Sequence, residues 1–345
     1  MFFVIYTSRI FTVSIEFSID LTKSLQYLYK VCAKIIDKEI LMRTIEKCAI
    51  VDIGSNTIRM NIYEVADGVI NELLSKKKML GMSNYVEDDK LTEKGIKKCI
   101  KVLADYKDTL EKMHIDDVYP FGTAGIRNIK NSEEVLQRIK DGTSLKVDLI
   151  SGENEADCVY RGVSSIYDAT NCGIVDIGGG STEIIIVEDG NVKNEISMPI
   201  GSLNLHHSYI NTTIFPQKDE VKNIKRHIKS VLDDYKISKF PKGMKFYGVG
   251  GSIRAAGEIA EEYFGLENDE HFSKEHVKEI LDKIMEKDPE ILRVMLKECP
   301  DRIHTQTPGM LILSELMKDL KFDSISVSSA GVREGYLIDK LEGMK

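Results

Sequence analysis

The chain has 345 residues, of which 42% are hydrophobic and 30% are charged. This length fits two domains better than one core, and the composition excludes collagen-like, mucin-like and wholly disordered proteins. Lys and Arg total 47 against 55 Asp and Glu, a net charge of -8. Since an acidic chain has no general affinity for polyanions, we expect neither nucleic acid nor a membrane as a partner. Any polyanion must bind at a local basic site.

The first part of the chain differs from the rest. Residues 1–41 contain no Gly or Pro, and their apolar runs are interrupted by Arg9, Glu16 and Asp20. These charges are too frequent for a membrane span, and no signal cleavage site is evident. The sequence therefore predicts a non-native or poorly ordered extension over residues 1–45, with native translation starting at Met42.

The six cysteines are scattered along the chain. They form no CxxC pair, and no His stands near them at the spacing of a zinc site. This usage is typical of reduced thiols, so we expect a cytoplasmic protein.

A repeat divides the remaining chain into two related halves. CAIVDIGSNT at 48–57 returns 124 residues later as CGIVDIGGGST at 172–182. In both copies an apolar, β-branched run reaches an Asp, passes through Gly and hydroxyl residues, and resumes as a second strand. Alternating helical and strand-like patterns follow. We therefore predict α/β domains at 46–166 and 167–345, with a cleft between them and the C-terminal helix packing back on the first domain.

The turns of the two predicted hairpins carry groups suited to phosphate. The first turn offers Asp52, Gly54, Ser55 and Asn56, and the second offers Gly178, Gly179, Gly180 and Ser181 after Asp176. Gly-rich turns bring backbone N–H groups close to phosphate oxygens, and an Asp can hold Mg²⁺. A third such loop contains Gly250, Gly251 and Ser252. One Asp-Gly turn is commonly an ordinary hairpin, but three Gly-rich loops together favour phosphate binding.

Two arginines and one acidic segment complete the candidate site. Arg127 follows a predicted strand, and a guanidinium binds phosphate bidentately. Arg59 lies within a strand, where it could equally face solvent. Acidic residues at 153, 155 and 157 open a predicted helix, where they complement the helix dipole. Alternatively, one of them is the general base of a phosphoanhydride hydrolase.

Over about residues 48–337 the chain resembles the exopolyphosphatase/guanosine pentaphosphate phosphatase family of the actin-like ATPase superfamily. The motifs that carry the resemblance are VDIGSNTIRM, GTAGIRNIKN, SGENEA, DIGGGSTE, PIGSLNL, GVGGSIRA and AGVREG. The resemblance implies two duplicated actin-like (ribonuclease H-like) domains, with mixed sheets flanked by helices and an interdomain cleft. It also implies that Glu155 activates water, that Arg127 clamps the terminal phosphates, and that Asp176 and Glu183 bind Mg²⁺ or Mn²⁺. Asp52, Ser55, Asn56 and Arg59 match the family's first phosphate loop.

We therefore expect a Mg²⁺-dependent exopolyphosphatase that releases terminal orthophosphate from inorganic polyphosphate. The alternative is a guanosine pentaphosphate 5'-phosphohydrolase, and a more distant one is an actin-like kinase or a non-hydrolytic nucleotide binder. The resemblance also makes a homodimer an expectation.

A basic track for a long polyphosphate has several candidates in the sequence. They are the lysines at 76–78, Lys97, Lys98 and Lys101, and a helix with Lys222, Lys225, Arg226 and Lys229 whose basic side can equally be a solvated face. The segment KKKMLGMSNYVED at 76–88 departs from the family's usual Arg/Lys-Leu-Gly-Glu-Gly pattern. Contacts between polyphosphate and this segment are therefore left open.

Overall fold

The computed structural model describes residues 47–343, apart from 67, 212–213, 236, 238–239, 242 and 267–270. The extension predicted for residues 1–45 lies outside the described residues. Apart from residues 66–68, the described chain forms one compact unit. Within it, no helix is both long enough and apolar enough to cross a bilayer.

The first half of the chain builds a five-stranded sheet. Its strands are β1 (Cys48–Ile53), β2 (Thr57–Ala66), β3 (Val69–Met79), β6 (Val118–Gly122) and β7 (Asp148–Leu149). Their order is β3-β2-β1-β6-β7, and β4 (Val86–Glu87) pairs separately with β5 (Lys90–Leu91). β1 is antiparallel to β2 and parallel to β6. Because helices cover both faces of the central strand, its residues form a continuous apolar run rather than an alternating one.

The second half repeats this arrangement. Its strands are β8 (Cys172–Ile177), β9 (Thr182–Glu188), β10 (Asn191–Met198), β11 (Lys245–Val249), β12 (His271–Ser273) and β13 (Ser324–Val327). Their order is β10-β9-β8-β11-β13-β12, with β8 antiparallel to β9 and parallel to β11. Apart from the added edge strand β12, order and direction match those of the first sheet. The predicted α/β class and duplication are confirmed.

Helices flank the two sheets. They are α1 (Glu93–Lys112), α2 (Ala124–Arg127), α3 (Ser132–Thr143), α4 (Gly152–Ser164), α5 (Ser202–Tyr209), α6 (Lys218–Tyr235), α7 (Gly251–Phe264), α8 (Lys274–Glu286), α9 (Pro289–Glu298), α10 (Ile303–Asp319) and α11 (Val332–Gly343). α1 starts after Thr92, whose hydroxyl accepts a hydrogen bond from the Gly95 N–H. It buries Ile96, Leu103 and Leu110, as its apolar spacing predicts.

Helices α4 and α11 each pack against the sheet that the other half of the chain forms. Val159 and Val163 of α4 pack in one core cluster with residues of β8 and β9, whereas Tyr336 and Leu337 of α11 pack with residues of β1 and β6. The C-terminal helix therefore lies against the first sheet, and α4 lies against the second. The boundaries at 46–166 and 167–345 stay predictions.

Helices α4 and α11 contact each other at glycine residues. A Cβ atom on Gly162 of α4 would collide with the backbone of Gly331, and one on Gly335 of α11 would collide with the Cys158 carbonyl. Since neither obstacle is a flexible side chain, both contacts require glycine.

We expect Gly335→Ala to lower the free energy of unfolding by about 3 kcal/mol, because the helices must separate to admit the methyl group. Urea denaturation of the full chain measures this change. Gly343→Ala in the same helix is the control: its methyl group meets no atom within 4 Å, so we expect a change within about 0.5 kcal/mol. Equal effects of the two substitutions would contradict the packing argument.

Candidate active site

The turns between β1 and β2 and between β8 and β9 face each other across a cleft. In each turn a glycine N–H donates to a carbonyl three residues later: Gly54 to Thr57 and Gly178 to Ser181, both at 3.0 Å. A Cβ atom on Gly179 would lie 3.4 Å from the Cβ atoms of both Ser55 and Asn56. The repeated turns are therefore in direct proximity, as the duplication predicts.

All the predicted phosphate ligands line this cleft. They are Asp52, Gly54, Ser55, Asn56, Arg59, Gly178, Gly179, Gly180, Ser181, Gly250, Gly251 and Ser252. Glu155 and Asp176 line it as well. Arg127 and Glu183 are not among the lining residues, but Arg127 hydrogen-bonds to Glu155 and Glu183 stands opposite Asp176 in the sheet. The catalytic and binding roles stay predictions.

Cross-strand pairing explains why charged side chains meet at the turns. Asp52 on β1 stands opposite Arg59 on β2, and Asp176 on β8 stands opposite Glu183 on β9. Directly opposed residues of an antiparallel pair point to the same face of the sheet. The same backbone geometry therefore places an Asp–Arg pair in the first half and a pair of carboxylates in the second.

Burial distinguishes Glu155 from the acidic residues at 153 and 157 in the same helix. Helix α4 starts after Ser151, whose hydroxyl accepts a hydrogen bond from Asn154 N–H, and this directs Glu155 inward at 8% exposure. Arg127 Nη1 donates to Glu155 Oε2 at 2.8 Å and to the Ile150 carbonyl at 3.0 Å. Glu153 is exposed, and Asp157 accepts a hydrogen bond from Arg161 Nε at 2.7 Å. Of the three acids, only Glu155 lines the cleft.

The environment of Glu155 suits a general base. Burial raises the pKa of its carboxyl to about 7, against the opposing effect of the Arg127 guanidinium. A base with a pKa near the working pH is deprotonated in about half of the molecules and still accepts a proton readily.

Three further carboxylates surround Glu155. Burial raises the pKa of Asp176 to about 6; the Arg254 guanidinium opposes this increase and the Asp52 charge adds to it. The pKa of Glu183 is also raised, first by burial and then by the charges of Glu155 and Asp176. Ser197 Oγ donates to Glu183 Oε1 at 2.8 Å. Burial and mutual repulsion disfavour the ionised forms of these carboxyls, and a bound cation would relieve both effects.

The carboxylates present fit a Mg²⁺ ion whose ligands come partly from the protein and partly from substrate and water. Mg²⁺ is usually held by one or two carboxylates, with water and phosphate oxygens as the other ligands. Asp176 and Glu183 stand side by side as two such carboxylates. In the described part of the chain no three His, Cys, Asp or Glu side chains are arranged to enclose a metal. Water and substrate oxygens would therefore have to complete the coordination.

Four arginines lie in the same cleft. Arg59, Arg254, Arg302 and Arg333 all line it. Burial, followed by the charges of the other three arginines, lowers the pKa of Arg254 to about 10. Burial and Arg333 likewise lower the pKa of Arg59. Arg333 Nη1 lies 3.9 Å from Asp52 Oδ2. Such concentrated positive charge is stabilised by a bound polyanion.

The loop before α7 adds backbone donors to this arginine cluster. Gly250 has a φ of 89°, and a Cβ atom there would lie 2.6 Å from the Ile177 carbonyl oxygen, so only glycine fits. No side chain caps α7, which begins at Gly251. Its first N–H groups are therefore available to a phosphate oxygen. The Arg302 guanidinium lies directly against Gly251.

The sequence did not point to Arg254, and it left Arg302 and Arg333, which match family positions, undecided between a structural ion pair and a substrate contact. Arg254 had a local signal, because an arginine in the first turn of a helix opened by a glycine loop lies near any anion bound at that helix terminus. Arg302 and Arg333 had no local signal of comparable strength. They reach the cleft from the starts of α10 and α11, elements that are distant in sequence from the phosphate loops.

Residues 61–343 match the model of the Ppx/GppA phosphatase family. Over 313 residues the chain is 26% identical to the bifunctional 3-dehydroquinate synthase/phosphatase of Fusobacterium nucleatum, covering 85% of this chain and 46% of that protein. It is 24% identical over 306 residues to the guanosine-5'-triphosphate,3'-diphosphate pyrophosphatase of Photobacterium profundum, covering 86% and 60%. The chain thus spans about half the length of these curated relatives.

Among solved structures, the Aquifex aeolicus Ppx/GppA family member is similar, with a TM-score of 0.69 and 26% identity. The similarity covers 87% of this chain and 98% of that one. Since the family model also matches most of the residues that build both sheets and the cleft, this chain belongs to the Ppx/GppA phosphatase family.

Proposed function

We propose that the protein is a Mg²⁺-dependent exopolyphosphatase that hydrolyses the terminal phosphoanhydride bond of inorganic polyphosphate. The observation that carries the proposal is the juxtaposition of a buried carboxylate, Glu155, with four arginines in one cleft. The carboxylate accounts for activation of water. The arginines account for recognition of a substrate made of successive phosphate groups.

In the proposed reaction, Glu155 orients a water molecule toward the terminal phosphorus and accepts its proton. The water oxygen bonds to phosphorus as the bond to the bridging oxygen breaks, releasing orthophosphate and a chain one phosphate shorter. Arg127 holds the Glu155 carboxylate in place through its 2.8 Å hydrogen bond. The cleft arginines and the glycine-loop N–H groups stabilise charge on the phosphoryl oxygens and on the leaving group.

Asp176 and Glu183 are the proposed holders of Mg²⁺. When bound, the ion would neutralise phosphoryl oxygens and polarise the terminal phosphate. Mn²⁺ has the same preference for oxygen ligands and would serve in its place.

Guanosine pentaphosphate is the second candidate substrate, supported by the name of the Photobacterium profundum relative. The lining of the cleft favours polyphosphate. Among the described residues that line it there is no Phe, Tyr or His, and such rings are the usual stacking partners of a nucleobase. The chain also contains no Trp.

Phosphate release by the purified full chain tests the proposal. We expect release from long-chain polyphosphate in Mg²⁺, complete loss of release in EDTA, and recovery when Mg²⁺ or Mn²⁺ is restored. Guanosine pentaphosphate is assayed in parallel. A higher kcat/KM for the nucleotide would select the second candidate, and folded protein that releases phosphate from neither substrate would contradict both.

A cytoplasmic location and a homodimer belong to the same proposal. The five cysteines of the described chain are free and buried, in agreement with a reducing compartment. The homodimer rests on the family resemblance.

A further inference from the structure

One face of α1 carries a stripe of exposed lysines, formed by Lys94, Lys97, Lys98 and Lys101. Their spacing puts them on one side of the helix, and a rise of 1.5 Å per residue makes the stripe about 10 Å long. They line a shallow surface groove together with Glu93. Glu93 pairs with Lys97 at 3.3 Å. In the part of the chain that the structure describes, no carboxylate pairs with the other three lysines.

Tyr85 lies across the start of this stripe. Lys98 Nζ donates to Tyr85 Oη at 2.6 Å and lies 4.8 Å from the centre of the ring. Lys94 Nζ lies 5.9 Å from the same centre. Attraction between the cations and the ring holds two ammonium groups on one surface despite their mutual repulsion.

The segment that carries Tyr85 is attached to the wall of the cleft. Met82 N–H donates to the Ser55 carbonyl at 2.8 Å, and Gly81 N–H donates to the Asn56 carbonyl at 2.9 Å. A 3₁₀ turn, Met82–Tyr85, then leads directly to Tyr85. At about 2 Å per residue this turn covers about 6 Å. The lysine stripe therefore starts near the first phosphate loop.

The other lysine-rich segments are less suited to a polymer that leaves the cleft. Lys76 Nζ lies 3.3 Å from Thr109 Oγ1, and Lys77 pairs with Asp301 at 2.5 Å. Neither α1 nor α6 contributes a residue that lines the cleft, but α1 is reached from the first phosphate loop through the short segment at 81–85, whereas α6 follows α5 in the chain.

We propose that the α1 lysine stripe and Tyr85 form a second binding site, which holds the distal part of a long polyphosphate whose end lies in the cleft. This inference rests on the proposed function. It accounts for the segment at 76–88 that departs from the family pattern: the 3₁₀ turn in it connects the cleft wall to the stripe. The site recognises a linear chain of phosphates by charge, and a substrate too short to leave the cleft does not reach it.

Equilibrium binding tests the site without interference from turnover. The parent protein is the full chain with Glu155→Gln, and the test variant also has all four stripe lysines changed to Gln. The matched control removes the same charge from α6 by changing Lys222, Lys225, Arg226 and Lys229 to Gln. Dissociation constants for long-chain polyphosphate and for tripolyphosphate are measured over a range of salt concentrations.

We expect the α1 variant to bind long-chain polyphosphate at least 10-fold more weakly than the parent protein, and tripolyphosphate within twofold. The slope of log Kd against log salt should become shallower by about 3 for long chains, since each lost phosphate contact on a single-stranded polyanion contributes about 0.7. The α6 control should stay within twofold for both ligands.

Unchanged long-chain affinity in the α1 variant, or an equal loss in the α6 control, would overturn the site. An equal loss of affinity for a single-stranded oligonucleotide would overturn polyphosphate as its specific occupant. Failure of the proposed function would give a different result. The chain with the native Glu155 would then release no phosphate, although changing the α1 lysines would still weaken its binding of long-chain polyphosphate.

Discussion

Replacing Glu155 with Gln should lower kcat for phosphate release about 1,000-fold, the size of effect expected when a general base is lost. The amide retains an oxygen that can accept the Arg127 hydrogen bond, so the geometry of the cleft should be preserved. Glu153→Gln is the matched control, because Glu153 is exposed in the same helical turn. We expect that variant to keep wild-type activity.

The pH dependence should separate loss of a base from structural damage. Because the pKa of Glu155 is raised to about 7, kcat/KM of the wild type should fall as the pH drops below 7. The residual activity of Glu155→Gln should not show this decline. A wild-type profile that stays flat from pH 8 to pH 5, or full activity in the Gln variant, would exclude Glu155 as the base.

Stability provides an independent check of the same carboxyl group. A raised pKa means that the folded protein binds this proton more tightly than the unfolded chain does. The group therefore favours folding at low pH, and this contribution is lost as the pH rises from the ordinary value of 4.5 to about 7. At pH 8 the Tm of Glu155→Gln should be at least that of the wild type.

The second large effect is expected at Arg254. Changing it to Met should lower kcat/KM about 100-fold or more, because a cation that stabilises the charge of the reacting phosphate is removed. Arg293→Met is the control: Arg293 is exposed and does not line the cleft, so its removal should leave kcat/KM unchanged.

Stability should change in the opposite direction to activity at this position. Burial and the three neighbouring arginines lower the pKa of Arg254 to about 10, so its charge is less favourable in the folded protein than in the unfolded chain. Without phosphate, Arg254→Met should therefore have a higher Tm than the wild type. Added polyphosphate should raise the Tm of the wild type more than that of the variant. A variant that loses both stability and activity would indicate a structural role instead.

The sequence was sufficient to predict the duplication, the two hairpins and the helical period of α1. These features depend on local patterns: an apolar β-branched run ending in Asp and Gly predicts a strand and its turn, and apolar residues every three or four positions predict an amphipathic helix. The equivalence of 48–57 and 172–182 also predicted that the two turns would face each other. Every glycine and hydroxyl residue predicted to bind phosphate does line the cleft.

Only the tertiary structure decided which charged residues meet at those turns. From the residues alone, the acids at 153, 155 and 157 were equivalent, and the packing of α4 buried just one of them against Arg127. Arg59 and Arg333 are brought together because α11 crosses to the first sheet while α4 crosses to the second. Such convergence depends on how elements distant in sequence pack together. Periodicity describes one element at a time, so it does not contain this information.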